Sequence, residues 1–262
     1  MHSSSAVTGV PSPSRRQKVW IALPAYNEEA ALPALLASIE EAMDAAATPY
    51  GVVVVDDGSR DRTAEIAAAH AERMPIVLER HPQNLGLGST IRDGLMRAAA
   101  LAAPGDVVVT MDADNSHTPE LIPRMVQLVR EGRDVVVASR YRPGSQTLGV
   151  PASRRFLSYV GGLLFRLLFP TPGIRDFTCG FRAYRAALLQ SVVAEHGAAF
   201  FEQEGFSCMV DILLKLRRRR VVFGEVPLIL RYDLKPGASK MRVARTAVDT
   251  LLLLARRRLE RQ

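Results

Sequence analysis

Two acids, Asp112 and Asp114, follow the apolar run 107–111 with only Ala113 between them. If extended backbone persists that far, alternate side chains project to one side, and both carboxylates face the same space. Carboxylates so placed repel unless a cation or a shared proton compensates. Hard cations such as Mg2+ or Mn2+ take oxygens from one or two carboxylates and complete their shell with water and phosphate. The pair therefore points to a phosphate-bearing ligand. Asp56 and Asp57 close a second apolar run, 51–55, and Gly58 permits a tight turn after them. An acid there can accept hydrogen bonds from a nucleobase edge or from ribose hydroxyls, while Ser59 and Asp61 cap the helix that follows. After run 18–23 comes "PAYNEE", in which Pro24, Tyr26, Asn27 and Glu28 offer a ring to lie near a base and polar groups for its edge. "QNLGLG" sets Gly86 and Gly88 before a helical pattern, where backbone N–H groups favour an anion. The five histidines show no ligand spacing, and His117, beside the acids, reads as orienting their loop.

The runs 18–23, 51–55, 76–79, 106–111 and 134–139 read as strands. Between the first two, Leu32, Leu35, Leu36, Ile39 and Met43 recur at helical spacing. Between the last two, Leu121, Ile122, Met125, Leu128 and Val129 do the same, behind Thr118 and Pro119 as cap and first-turn proline. Strands alternating with helices imply a mainly parallel sheet with right-handed crossovers, and such sheets bind ligands beyond the carboxyl ends of their strands. The three polar clusters fall at those ends, so they form one site. The second half predicts a loop at 140–151, an amphipathic helix at 153–169, helices near 186–196 and 205–218, a strand at 221–230, the loop "RYDLKPGASKM" and a last helix. One domain results, with a C-terminal extension over part of its rim.

At 262 residues, with 48% hydrophobic and 23% charged, the chain can bury a core of enzyme size. The net charge of +7 suits an anionic partner. Much of it is local, in Arg217-Arg218-Arg219-Arg220 and Arg256-Arg257-Arg258. These runs carry no interleaved aromatics, so nucleic acid is not expected as a partner. The two cysteines, Cys179 and Cys208, lack metal spacing and read as reduced, consistent with the cytoplasm. Residues 1–17 are Ser- and Pro-rich and read as a disordered lead, not a signal peptide. No stretch reaches the roughly 20 apolar residues of a membrane span. Helix 153–169 carries Phe156, Leu157, Val160, Leu163, Leu164, Leu167 and Leu168 near helical spacing, flanked by Arg154, Arg155 and Arg166. That stripe fits either the core or a membrane surface.

"PAYNEE", "VVVVDDGSRDRT", "QNLGLGSTIRDGL", "MDADNSHTPE", "ASRYRPGS" and "DFTCGFRAYR" appear in this order across residues 18–242. Together they resemble the GT-A family 2 glycosyltransferases, in particular the dolichol-phosphate (polyprenol-phosphate) mannose synthases. The resemblance implies an α/β fold of GT-A (Rossmann-like) type: a mainly parallel central sheet flanked by helices, with a C-terminal helical extension. The domain would span 18–242, followed by a basic amphipathic helix at 243–262. Pro24, Tyr26, Glu28, Asp56 and Asp57 would hold the nucleoside of the donor, and Asp112 and Asp114 the Mg2+ or Mn2+ on its diphosphate. Asp176 would shape the sugar pocket. Arg140, Arg154, Ser158 and Lys240 would bind the acceptor phosphate, with Asp114, Arg140 and Arg154 as the catalytic set.

The implied reaction moves mannose from GDP-mannose to a polyprenyl phosphate with inversion. The implied place is the cytoplasmic face of a membrane, as a peripheral protein with room for a membrane partner protein. The alternative keeps the family and changes the partners: UDP-glucose or another nucleotide sugar as donor, and a small molecule or another polyprenyl phosphate as acceptor. Four departures stand out. Ser116 replaces a glutamine that ligates metal in some relatives, Cys179 a common serine and Asp211 a frequent glutamate, and the acceptor-loop tryptophan is missing, since the only one is Trp20.

Overall fold

The structure, a computed structural model, describes residues 16–205 and 207–236. Strand and helix alternate from the start: β1 (Val19–Ala25), α1 (Leu32–Ala45), β2 (Tyr50–Asp56), α2 (Thr63–His70), β3 (Ile76–Arg80), α3 (Leu87–Leu101), β4 (Val107–Thr110), α4 (Ile122–Arg130) and β5 (Val135–Ser139). Then come β6 (Gln146–Leu148), α5 (Ala152–Leu168), β7 (Arg182–Arg185), α6 (Ala186–His196), α7 (Ser207–Leu216), β8 (Phe223–Pro227) and β9 (Ile229–Arg231). The main sheet has the order β3-β2-β1-β4-β7-β5-β8. Every pairing in it is parallel except the two made by β7.

The central strands are runs of valine and isoleucine because helices cover both faces of the sheet and leave no polar side. In β1, β2, β4 and β5 nearly every residue is buried. The periodicity expected of α1 holds: Leu32, Leu35, Leu36, Ile39 and Met43 all pack inward. In α4 the inward set is Ile122, Met125, Val126 and Val129, while Leu121 and Leu128 are partly buried against the core. Thr118 makes no side-chain cap; Pro119 instead opens a short 3-10 turn, Pro119–Leu121, ahead of α4. Asp106 aligns two strand starts by accepting from the backbone N–H of Lys18 at 2.9 Å and of Ala103 at 2.8 Å. Gln17, placed in the disordered lead, joins the domain by donating to the Gly105 carbonyl and accepting from Arg130 Nε.

Two features of the second half differ from expectation. The single strand expected at 221–230 is broken at Leu228: β8 completes the main sheet, and β9 pairs with β6 in a separate two-stranded sheet. The segment 140–151, expected as loop, supplies β6. The segment "DFTCGFRAYR" supplies β7, which runs antiparallel between β4 and β5. That reversal has a consequence. An antiparallel strand brings its amino end to the rim where the parallel strands place their carboxyl ends, so the loop before β7 joins the ligand side.

Helix α5 has two faces. Gly162, Phe165 and, just past its end, Phe169 are buried, whereas Tyr159, Val160, Leu163, Leu164 and Leu167 are exposed, Leu167 at 70%. The core packing expected of this helix is met by its inner side, and its outer apolar stripe lies open. None of the described helices is long and apolar enough to cross a membrane. Residues 243–262, expected as a basic amphipathic helix, lie outside the described residues.

Candidate active site

The loops after β1 and β2 are stitched to each other. Asn27, held at φ +51°, donates its backbone N–H to Ser59 Oγ at 2.9 Å, and its side-chain oxygen accepts from the Arg60 N–H at 2.9 Å. The Glu28 N–H donates to Thr63 Oγ1 at 2.8 Å, and the Glu29 N–H to Asp61 Oδ2 at 3.1 Å. Asp61 also accepts from the Thr63 N–H at 3.0 Å at the start of α2, whose cap position is Arg62 and carries no side-chain cap, and Ser59 serves the first loop. Gly58 sits at φ +66°, and a Cβ there would lie 2.5 Å from the Gln83 backbone, so the turn admits only glycine.

Asp56 and Asp57 divide their work. Asp56 is fully buried at the end of β2; its Oδ1 accepts from the Ser59 N–H at 3.1 Å. Its Oδ2 is buried without a hydrogen bond, with Arg80 Nε 3.2 Å away outside hydrogen-bonding geometry. A buried carboxylate oxygen lacking a donor is costly unless a ligand supplies one. Beside it opens a cleft of about 370 Å³ lined by Gly58, Ser59, Arg80, His81 and Pro82. Asp57 faces the other way. Its oxygens accept from the N–H groups of Leu85 at 2.8 Å and Gly86 at 2.9 Å and from His81 Nδ1 at 2.7 Å. The anion attracted by the backbone before α3 is thus the chain's own Asp57, which organises the loop.

Strand β4 stops at Thr110, so simple alternation does not carry to Asp114. The loop brings the two acids together instead, turning through Asn115 at φ +61°. Burial pushes the Asp112 carboxyl above the usual range, the negative charge of Asp114 adds to this, and the charges of His117, Lys235 and Arg140 oppose it. Asp112 accepts no hydrogen bond among the described residues. Its backbone N–H donates to His117 Nδ1 at 3.2 Å, and His117 stacks on Phe181 with ring centroids 5.2 Å apart. Gly180 leaves room here, since a Cβ on it would come within 3.2 Å of Asp112 Oδ1. Asp114 is better satisfied: Oδ1 accepts from Ser116 Oγ at 2.5 Å and N at 3.1 Å, and Oδ2 pairs with Lys235 Nζ. Burial alone would raise Asp114, but Lys235 and Ser116 hold it below the ordinary carboxylate range.

No cluster of three or more His, Cys, Asp or Glu able to hold a metal occurs among the described residues. The donor set on offer is two carboxylates, one of them bare and disposed to gain a positive neighbour. That set fits a hard divalent cation whose remaining ligands are diphosphate oxygens and water.

Arg140 follows β5 and makes a two-pronged pair with Asp176: Nε to Oδ2 and Nη2 to Oδ1, both 2.8 Å, with the Arg140 N–H on Oδ2 at 3.1 Å. Nη2 also donates to Thr178 Oγ1, and Nη1 carries no hydrogen bond among the described residues. Asp176, expected to shape the sugar pocket, has no exposed surface; it anchors Arg140 and accepts from the N–H groups of Thr178 and Cys179 at 3.2 Å. Tyr141 ties this segment to α5, its hydroxyl donating to the Ser158 carbonyl at 2.7 Å and lying 2.9 Å from Ser158 Oγ. The Arg154 side chain and Lys240 lie outside the described residues.

Sequence reasoning did not name three residues that hold this region. Lys235 is one. Arg182 is fully buried and donates to the carbonyls of Phe177, Cys179 and Met209 at 2.8, 2.8 and 2.6 Å, clamping the loop before β7 to α7. Glu225 on β8 accepts from the N–H groups of Arg175 and Asp176 at 2.6 and 2.8 Å. Cys179, buried and pushed up to about 12 by burial, is an inert thiol in this loop.

The Asp176–Arg140 pair makes a pH prediction. Burial works against the Asp176 anion, yet Arg140 holds its carboxyl down at about 2, below the ordinary 3.8. A depressed carboxyl stabilises the fold above its unfolded value and loses that contribution as pH falls through the folded value. About 2 kcal/mol should therefore be present above about pH 4 and vanish toward pH 2. Urea midpoints measured across that window should fall more steeply for the wild type than for Asp176→Asn; parallel profiles would contradict the pairing.

Comparison with known proteins agrees with this geometry. Residues 20–193 match the family model described as Glycosyl transferase family 2. An undecaprenyl-phosphate mannosyltransferase of Micrococcus luteus is 34% identical over 232 residues, covering 86% of this chain and 87% of that one. A polyprenol monophosphomannose synthase of Mycolicibacterium smegmatis is 30% identical, covering 86% and 81%. A dolichol-phosphate mannosyltransferase of Pyrococcus furiosus is 32% identical over 86% of this chain, which spans 59% of that relative's length. In fold, the chain superposes on glucosyl-3-phosphoglycerate synthase of Mycobacterium tuberculosis, a structure holding Mn2+, UDP and phosphoglyceric acid. The TM-score is 0.65 at 20% identity, covering 93% of this chain and 79% of that one. Two thirds of the chain under one family model, with relatives at these identities on a GT-A sheet whose rim gathers paired acids and an anchored arginine, leave one assignment: the chain belongs to glycosyltransferase family 2 and is a glycosyltransferase.

Proposed function

We propose that the protein transfers mannose from GDP-mannose to a polyprenyl phosphate with inversion at the anomeric carbon, on the cytoplasmic face of a membrane that it binds peripherally. The names of its relatives support the sugar and the acceptor class. The observation that carries the acceptor is the link through Tyr141. It joins Arg140, a cation whose Nη1 carries no hydrogen bond among the described residues, to Ser158 on the helix whose outer stripe is apolar. A phosphate beside an exposed apolar helix is the chemistry of a lipid phosphate.

A phosphate acceptor needs no general base. Its second pKa is about 6, so near neutral pH it is largely a dianion and attacks without surrendering a proton. The work left to the protein is positioning and charge stabilisation. Asp56 and the cleft beside it receive the nucleoside, with Pro24, Tyr26 and Glu28 alongside. Asp112 and Asp114 hold Mg2+ or Mn2+, which when bound offsets negative charge on the departing diphosphate. Asp176 fixes the guanidinium of Arg140, whose Nη1 orients the acceptor phosphate together with Ser158, Arg154 and Lys240. The domain would span 18–242, with 243–262 as a basic helix that adds to membrane binding, alone or with a membrane partner protein.

A donor panel offered with both a polyprenyl phosphate and soluble acceptors tests the proposal: GDP-mannose with the lipid should give an organic-phase product, and UDP-glucose should not. Transfer only to a soluble acceptor would replace the lipid by a small molecule. The helix has its own test. Changing Leu163 and Leu167 together to serine, both exposed, should leave thermal stability unchanged and reduce co-sedimentation with anionic vesicles several-fold. Unaltered sedimentation would remove α5 from the membrane surface.

A further inference from the structure

Lys235 reaches the acid loop from a distant segment of the chain. It follows the short 3-10 turn Tyr232–Leu234, directly after β9. That turn is docked onto the acid loop: the Arg231 N–H donates to the Ser116 carbonyl at 2.9 Å, and Arg231 Nη2 pairs with Asp233 at 2.9 Å. Ser116 in turn holds Asp114 Oδ1. The fold therefore delivers Lys235 Nζ to the remaining oxygen of Asp114, where it forms an ion pair with both side chains nearly buried, 12% and 11% exposed. Its ammonium also lies 5.5 Å from the Tyr232 ring.

This pairing is in competition with the proposed role of Asp114. A divalent cation competes with the donors already on a carboxylate, and both oxygens of Asp114 carry them: Ser116 fills Oδ1 with two hydrogen bonds and Lys235 pairs with Oδ2. Asp112, by contrast, accepts no hydrogen bond among the described residues, with His117 Nε2 4.0 Å from its Oδ2. An ammonium on a flexible stem can leave a carboxylate without moving the backbone, and a nucleoside diphosphate would give it a new anionic partner.

We propose that Lys235 is a place-holding counter-ion. It neutralises Asp114 until cation and nucleoside diphosphate arrive together, then exchanges the carboxylate for the diphosphate. The exchange makes cation and nucleotide bind interdependently. The cation alone strands Lys235 without an anionic partner, and the nucleotide alone is repelled by the acids. Together, the cation neutralises the acids and the diphosphate takes up Lys235. This rests on the proposed cation role of Asp112 and Asp114.

Mn2+ binding, followed by the loss of the free-ion signal in electron paramagnetic resonance, tests it without any turnover. Wild type, Lys235→Gln, Lys235→Arg and Asp114→Asn are each titrated with Mn2+ alone and with GDP or UDP. Lys235→Gln should bind Mn2+ alone at least fivefold more tightly than wild type, and the tightening produced by nucleotide should shrink at least tenfold. Lys235→Arg, which keeps the charge, should behave as wild type. Equal nucleotide-free affinities in wild type and Lys235→Gln would overturn the place-holder, including the case in which the variant melts earlier, because a merely structural tie moves stability and not Mn2+ affinity. Failure of the underlying site looks different: wild type with either nucleotide would then bind Mn2+ no better than Asp114→Asn does.

Discussion

Asp114→Asn should lower the rate of sugar transfer by on the order of 10³-fold, the scale seen when one preorganised charge-stabilising group is removed from an active site. Asparagine keeps the shape and can still accept from Ser116 through its amide oxygen, so the loop geometry survives. What it loses is the charge. With no group of three or more His, Cys, Asp or Glu able to hold a metal among the described residues, a cation would keep one anionic ligand, Asp112. Asp112→Asn should be about as damaging, since Asp112 is the acid whose oxygens accept no hydrogen bond among the described residues. Initial rates with radiolabelled donor, beside thermal melts of each variant, separate lost chemistry from lost fold. Wild-type turnover in either variant would take the cation away from this pair.

The second large effect is on stability. Asp176→Ala should cost about 3–5 kcal/mol, because removing one partner of a buried ion pair strands the other charge. For a domain of this size that corresponds to a drop of roughly 10 °C in melting temperature. Arg140 is 23% exposed on its side chain and Asp176 not at all, so the guanidinium cannot recover its full hydration by a small movement. Arg140→Lys tests the other half: an ammonium cannot reproduce the two parallel bonds to Asp176 and still offer an edge to a phosphate. We expect Arg140→Lys to lose transfer with a smaller loss of stability than Asp176→Ala. An Asp176→Ala protein that melts with the wild type would show that Arg140 is held by other means.

What the sequence discloses follows from where its physics is local. Four of the six parallel strands, β1, β2, β4 and β5, were legible because a strand covered on both faces must be an unbroken apolar run, and α1 was legible because its buried stripe repeats at helical spacing. β7 was not. Its four residues, Arg182–Arg185, include two arginines, and nothing local tells that Arg182 is buried with its guanidinium spent on three backbone carbonyls. The break between β8 and β9 was equally hidden, since Leu228 continues an apolar run while the chain changes sheets.

Within the site, residue type told more than residue role. Asp56 and Asp57 read as equivalent, yet one keeps a buried oxygen without a hydrogen bond, 3.2 Å from Arg80, and the other is consumed by the turn before α3. Asp176 carried a binding role by resemblance, and its burial makes it the support of Arg140. Lys235 could not be found from spacing at all, because 121 residues separate it from Asp114 and only the docking of β9 on the acid loop brings them together.

The central claim is that Asp112 and Asp114 share a divalent cation with the donor diphosphate at the carboxyl edge of the sheet. Crystals grown with Mn2+ and GDP would test it through anomalous scattering. The expected map has one manganese peak within bonding distance of both carboxylates and of the nucleotide's phosphates, with Lys235 withdrawn from Asp114. A nucleotide seated on the rim with no manganese between those acids, or with Lys235 still paired to Asp114, would contradict it.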